Sequence, residues 1–278
     1  RILEWDIVNI ENLDPIHQYE GHSLPLRKVV YSPDGNTILS TSWDETLILW
    51  NRQTGKAIDT LQGHQDWVND VAFSPDGQIA LSGSRDKTLL IWDVGKREYS
   101  LNIDAHNDAT QFVVLSPDER WLLSAGADYR IVLWDADTGE QIRTFEGHRR
   151  KVTYIKFLDD GQTFLSGSYD ETVILWDITT GKQINVFGAF VDDDEIIPNG
   201  VNWISVSPDE QTFLSAMEAN VIWWDIDTGE KLLIIDGPEI LSDGHFHSVE
   251  FLPDGETALV ALGSDLQLRN LSNGDVLR

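Results

Sequence analysis

Serine, histidine and aspartate recur together along this chain. His22, Ser42 and Asp44 make one set, His64, Ser84 and Asp86 a second, and His148, Ser168 and Asp170 a third. These residue types perform nucleophilic acyl transfer when a histidine takes the serine proton and a carboxylate orients the histidine. A hydrolase needs one such set, and here the same spacing returns three times. No Gly-x-Ser-x-Gly segment leads into a helix either, so the sets read as structural. The sequence also holds no Gly-x-x-x-x-Gly-Lys phosphate loop, no His-Glu-x-x-His and no dinucleotide fingerprint. His245-x-His247 could place two imidazoles on one strand face, but no third ligand accompanies them. The acidic run Asp192-Asp193-Asp194-Glu195 lacks the glycine and the spaced oxygen ligands of a calcium loop. The expectation is a protein with no catalytic residues, no metal and no cofactor.

The elements that carry these residues follow a fixed period. Trp-Asp or Trp-Asn returns at Trp5, Trp50, Trp92, Trp134, Trp176 and Trp224, and the steps from Trp50 to Trp176 are each 42 residues. Arg269-Asn270 is a degenerate further copy. A unit of this length cannot bury its own apolar face and must stack on its neighbours. Within residues 63–104, Asn69-Asp70-Val71-Ala72-Phe73 alternates as a strand does. Ser74-Pro75-Asp76-Gly77 is a turn in which Pro presets φ and Gly supplies a positive φ. Ile79 to Gly83 continues as a strand, and the apolar run Thr88 to Trp92 reads as a strand buried on both faces. A more exposed fourth strand covers about Arg97 to Ile103. Thr54-Gly55, Thr138-Gly139, Thr180-Gly181 and Thr228-Gly229 precede the equivalent outer strands, each glycine expected at positive φ.

Composition narrows the class. The chain has 278 residues, 41% of them hydrophobic, enough for a large core, and the repeat leaves no room for a linker. One domain is expected over residues 1–278. No stretch of 18 apolar residues and no signal-like start appears. With no cysteine, disulfides and thiolate chemistry are excluded, which fits a reducing, cytoplasmic setting. A formal net charge of −27 opposes nucleic acid and anionic lipid, so neither is an expected partner.

The order Gly-His, Ser-Pro-Asp-Gly, Ser-x-Asp and Trp-Asp, in units of about 42 residues, resembles the WD-repeat β-propellers, and does so along essentially the whole chain. The regular turns look like those of bacterial multidomain proteins. The resemblance implies an all-β propeller of four-stranded antiparallel blades, six complete and half of a seventh. Residues 1–20 would be the half blade, and 21–62, 63–104, 105–146, 147–188, 189–236 and 237–278 the six others. Strands from outside the chain would then complete the half blade, making this a segment of a longer protein. The family often joins the Gly-His histidine, a hydroxyl, the turn aspartate and the strand tryptophan by buried hydrogen bonds. Carried over, these are His22, Ser42, Asp44 and Trp50; His64, Ser84, Asp86 and Trp92; and His148, Ser168, Asp170 and Trp176. The unit of His106, Asp128 and Trp134 has Gly126 at the hydroxyl position and is expected to be incomplete. Units five and six depart, with an insertion at residues 191–198 and a lengthened lead-in at 238–245.

The family commonly docks partners on one ring face. The positions feeding it correspond here to Trp43, Arg85, Ala127 and Tyr169 before the turn aspartate. At the start of the first strand they are Pro25 and Arg27, Trp67 and Asn69, Ala109 and Gln111, Lys151 and Thr153, and His245 and His247. Trp43 and Trp67 lie outside the repeating tryptophan position, and Arg27, Arg85 and Lys151 oppose the mean charge. Tryptophan, tyrosine and arginine dominate binding hot spots. The alternative is that these tryptophans pack against neighbouring blades while the arginines pair with nearby carboxylates. The expected function is a non-catalytic protein-interaction scaffold or sensor, binding a protein or peptide with an apolar anchor and acidic character. Alternatives are a small-molecule-sensing propeller or a carboxylate-dependent hydrolase on the same framework.

Overall fold

The computed structural model describes residues 1–4, 16–189, 200–237, 246–263 and 265–277. The insertion at 191–198, Trp5 and His245 lie outside the described residues. Every regular element described is a β-strand. Ile2–Glu4 pairs with His17–Tyr19 in a two-stranded sheet. Of the six sheets that follow, the first five each use four successive antiparallel strands and the last uses three. The first runs Leu26–Tyr31, Thr37–Ser42, Thr46–Asn51 and Lys56–Gln62, and the second Val68–Phe73, Ile79–Ser84, Thr88–Asp93 and Glu98–Asp104. The third runs Thr110–Leu115, Trp121–Gly126, Ile131–Asp135 and Gln141–Phe145. The fourth has Val152–Phe157, Thr163–Ser168, Val173–Asp177 and Gln183–Phe187, and the fifth Val201–Val206, Thr212–Met217, Asn220–Asp225 and Lys231–Asp236. The sixth has Phe246–Phe251, Thr257–Leu262 and Asp265–Asn270, with an isolated bridge from Arg269 to Val276 where a fourth strand is expected.

Two compact units result. The first comprises residues 1–115, 119–124 and 134–141, the second residues 116–118, 125–133 and 142–278. In the first unit the strand Leu26–Tyr31 packs against Val68–Phe73, and Val68–Phe73 against Thr110–Leu115. In the second unit Val152–Phe157, Val201–Val206 and Phe246–Phe251 pack in the same succession. Apolar residues from neighbouring sheets interlock: Leu39, Leu49 and Leu61 meet Val68, Val71 and Leu90 in the first unit. Leu214, Val221 and Ile235 meet Phe246, Val249 and Val260 in the second. In the first four sheets the third strands are buried throughout their apolar run, as at Leu89 to Trp92.

The turns obey their local chemistry. Gly77 sits at φ +72° and its N–H bonds the Ser74 carbonyl at 2.9 Å. The four Thr-Gly glycines all lie between +68° and +74°. At two Ser-Pro-Asp turns a glutamate replaces glycine and still adopts positive φ, at Glu119 and Glu210. Each carboxylate reaches back to the turn of the preceding repeat: Glu119 accepts the Asp76 N–H at 3.1 Å and Glu210 the Asp159 N–H at 2.6 Å.

Candidate functional site

Three Gly-His histidines, His22, His64 and His148, are each held between a carboxylate and a serine. His64 Nδ1 lies 2.9 Å from Asp86 Oδ2, its Nε2 lies 2.7 Å from Ser82 Oγ, and the Trp92 indole donates to that same oxygen at 2.8 Å. His148, Asp170, Ser166 and Trp176 repeat the arrangement, as do His22, Asp44, Ser40 and Trp50. Thr88 donates to Asp86 at 2.6 Å, and Thr46 and Thr172 act alike on Asp44 and Asp170. One assignment satisfies every group: indole to serine, serine to Nε2, and Nδ1–H to carboxylate. The serine is spent as a donor and lies buried under a tryptophan, so it is no nucleophile.

The bridging hydroxyl corrects the sequence reading by two residues. Ser42, Ser84 and Ser168 do not touch the rings. Each accepts the backbone N–H of the turn aspartate and donates to a carbonyl leading into the first strand, as Ser84 does to Asp66 at 3.0 Å. The true bridges are Ser40, Ser82, Ser124 and Ser166. Gly126 therefore removes nothing from the third repeat's bridge: Ser124 lies 2.8 Å from His106 Nε2 and accepts from Trp134 at 2.9 Å. The fifth repeat, without a Gly-His, keeps the indole bond from Trp224 to Ser215 at 2.9 Å.

Burial alone would raise the carboxyls of Asp44, Asp86 and Asp170. Hydrogen bonds from histidine, threonine and a backbone N–H outweigh it and hold all three below the ordinary aspartate value. A depressed folded value contributes stability that is present above the unfolded value and is lost as pH falls through the folded one. Through these three groups, unfolding midpoints in urea should therefore fall as pH drops below about 4. A flat profile from pH 5 to pH 2 would contradict this.

A second constellation lies in the first unit at the turn before the third strand. Trp43 and Trp67 stack at 4.1 Å between ring centroids, 9° from parallel. The Arg85 guanidinium covers Trp67 at 4.6 Å and lies 3.7 Å from Asp66. The backbone sets this up, because Trp43 N–H bonds the Pro25 carbonyl and Arg85 N–H the Trp67 carbonyl, at 3.0 and 2.9 Å. In the second unit Tyr169 N–H bonds Lys151 in the same way, and the Lys151 ammonium stands 3.9 Å over the Tyr169 ring. Both tryptophans are half-buried, while Arg85, Leu24 and Pro25 are exposed.

The WD domain, G-beta repeat family matches residues 13–51, 55–93, 96–135 and 139–177, more than half of the chain. The chain belongs to the WD40 repeat family. Its sheets are WD40 blades, of the β-propeller fold class. Similar curated proteins are the small ribosomal subunit protein RACK1 of Caenorhabditis elegans, 38% identical over 60 residues, and that of Drosophila melanogaster, 40% over 58. Ribosome assembly protein 4 of Chaetomium thermophilum is 39% identical over 54 residues. These matches cover 19–20% of this chain. They span 18%, 18% and 10% of the three relatives' own lengths, respectively. They bear on the repeat and not on a bacterial multidomain setting.

Within the WD40 blades, several of the expected docking residues share a backbone device. Arg27, Asn69, Thr153 and His247 each fall where the register of the first strand shifts by one residue. Such a bulge re-aims a side chain out of the alternating pattern. Asn69 uses its new direction to donate to the Thr110 carbonyl at 2.9 Å, and Thr153 donates to the carbonyls of Val201 and Gly167. These two tie one blade to the next, leaving little to offer a partner. Arg27 and His247 are exposed, and Gln111 is half-buried. Among the described residues no group of three or more His, Cys, Asp or Glu side chains is placed to hold a metal ion.

The WD40 repeat pattern also hid a buried ion pair. Lys28 Nζ lies 2.5 Å from Asp70 Oδ1 and 4.3 Å from the centroid of the Phe112 ring. Asp70 Oδ2 accepts the Val113 N–H at 2.8 Å. Asp70 is 1% exposed, and burial raises its carboxyl despite Lys28. One carboxylate thus joins the first strands of three successive blades. Its signal in the sequence was a lysine, an aspartate and a phenylalanine at the 42-residue step, where neighbouring blades place unlike residues side by side.

Proposed function

We propose that this chain is a non-catalytic protein-docking module that grips an acidic, partly apolar segment of a partner at Trp43, Trp67 and Arg85. The observation that carries this is the three-layer stack. Both faces of Trp67 are covered, one by Trp43 and the other by Arg85. Of Trp67, the ring edges remain for a ligand, and aromatic edges are electropositive. The Arg85 guanidinium beside them, exposed and loosely paired with Asp66 at 3.7 Å, supplies a cation at this position in a chain of net charge −27. Exposed Leu24 and Pro25 adjoin Trp43 through the Pro25–Trp43 backbone bond and supply an apolar floor. The partner segment accordingly places a carboxylate at Arg85 and an aliphatic side chain over Leu24–Pro25, in place of an aromatic ring stacked on Trp67. Membership of the WD40 family supports a scaffold role, while the ribosomal names of the relatives describe those proteins. The −27 charge argues against a phosphate backbone as the ligand.

The test is selection of random displayed peptides on the native protein, followed by titration. Enrichment of acidic–aliphatic peptides is expected. Trp67→Ala with Arg85→Glu should weaken them about 100-fold or more, since hot-spot truncations cost about 2 kcal/mol or more each. Equal affinity for native and variant protein, at matched thermal stability, would place the docking surface elsewhere.

A further inference from the structure

The molecule contains its own example of ammonium recognition. In the first unit the Lys28 ammonium sits between the Asp70 carboxylate and the Phe112 ring. Lys28 and Asp70 occupy the same step of their blades, each being the first residue after the register shift. In the second unit that step is held by Tyr154, Trp203 and Ser248. Two rings stand there, with centroids 4.9 Å apart and planes tilted by 47°. The Trp203 indole donates to Glu250 Oε2 at 3.4 Å. The second unit therefore repeats the aromatic and carboxylate members of the triad. Among the described residues, no ammonium or guanidinium stands on Trp203 and none pairs with Glu250.

We propose that Trp203 and Glu250, walled on one side by Tyr154, bind an organic ammonium ion supplied from outside the chain. The chemistry is that of Lys28 with the cation detached. A ring face attracts the cation through its quadrupole, and a carboxylate near the ring edge adds Coulombic attraction. Trp203 is half-buried and packs on the Val249–Val260 cluster, which fixes the ring before a ligand arrives. Glu250 is exposed, so a ligand can reach it without unfolding the strand. The −27 field raises the local concentration of any cation. The positive group on the strand of Tyr154 is Lys156, two residues further along and exposed. An internal cation from Lys156 is the competing arrangement.

The experiment follows the Trp203 indole N–H resonance of the full chain, assigned through Trp203→Phe, during titration with tetramethylammonium chloride. Sodium chloride at equal ionic strength and the neutral isostere 3,3-dimethyl-1-butanol are the controls. A saturable shift given by tetramethylammonium alone is expected. Glu250→Gln, a change at an exposed position, should weaken it about tenfold. Competition by a Gly-Lys-Gly peptide would assign the ammonium to a protein side chain, and failure to compete would assign it to a free small cation. The proposal is overturned if sodium chloride or the alcohol reproduces the shift, or if Glu250→Gln leaves the affinity unchanged. No response in the native protein also overturns it, even if Lys156→Gln then responds.

Discussion

Asp70→Ala is expected to remove about 3–5 kcal/mol of stability, among the largest losses from any single side chain here. The substitution strands the Lys28 ammonium, whose side chain is 21% exposed, and deletes the acceptor of the Val113 N–H. Three blades lose a common tie at once. The pair need not be worth that much in itself, because taking two charges out of water consumes most of what their attraction returns. Lys28→Met with Asp70→Leu should therefore recover the part of the loss owed to the stranded ammonium, though not the part owed to the Val113 N–H, leaving a non-additive cycle. Urea unfolding of the two single variants and the double variant measures it. A single-variant cost below about 1 kcal/mol, in the range of exposed ion pairs, would show that the site stays hydrated. The pH response carries the opposite sign to that of the histidine-linked aspartates. Asp70 has a raised folded value, so its contribution to stability grows as pH falls through that value, until the loss at Asp44, Asp86 and Asp170 takes over.

Ser82→Ala should cost about 2–4 kcal/mol, because the Trp92 indole and His64 Nε2 both lose their partner inside the protein and each unmade buried bond costs about 1–3 kcal/mol. Ser84→Ala, two residues away, should cost about 1 kcal/mol, since the Asp86 N–H and the Asp66 carbonyl it serves lie nearer water. Thermal or urea unfolding of the pair separates the two serines. Equal effects, or a larger effect at Ser84, would mean that the Ser82 bridge is not what secures the tryptophan.

Almost all of the local fold could be read from spacing. The run Thr88 to Trp92, the turn at Ser74 to Gly77 and the Thr-Gly pairs all specify their conformation through residues within one turn or strand. The strand limits in residues 63–104 differ from the sequence reading by a single residue at any end. Interactions that depend on a bulge were harder to read. The register shift after Val68 turns Asn69 toward Thr110 and places Asp70 against Lys28, and no alternation in the residues 68–73 announces that shift. The bridging serines were missed for another reason. Ser82 and Ser84 lie on one face of the same strand, and the Ser-x-Asp spacing drew attention to the second. Serine at 40, 82, 124 and 166 persists through the third repeat, where Ser84's counterpart is Gly126, and that persistence was the available signal. Trp43 and Trp67 stand out by type and by position, and the alternative their positions allow is packing against a neighbouring blade with the arginine on a carboxylate. The structure shows that packing, as a Trp43–Trp67 stack with Arg85 near Asp66. The mutual partner is what no reading within a single repeat could supply.

The histidine–serine–tryptophan bridge also defines what a repeat is as a unit of inheritance. His64 lies before the first strand of its blade, Ser82 on the second and Trp92 on the third, so the bond is complete only when that whole span comes from one copy. A recombination joint inside the span would mix the bridge of one ancestor with that of another, exposing any mismatch in the buried set. A joint in the outer strand, such as Glu98–Asp104, leaves every bridge intact on both sides. Copies can thus be added, lost or shuffled most cheaply with their boundaries in the exposed fourth strand, out of phase with the sheets themselves.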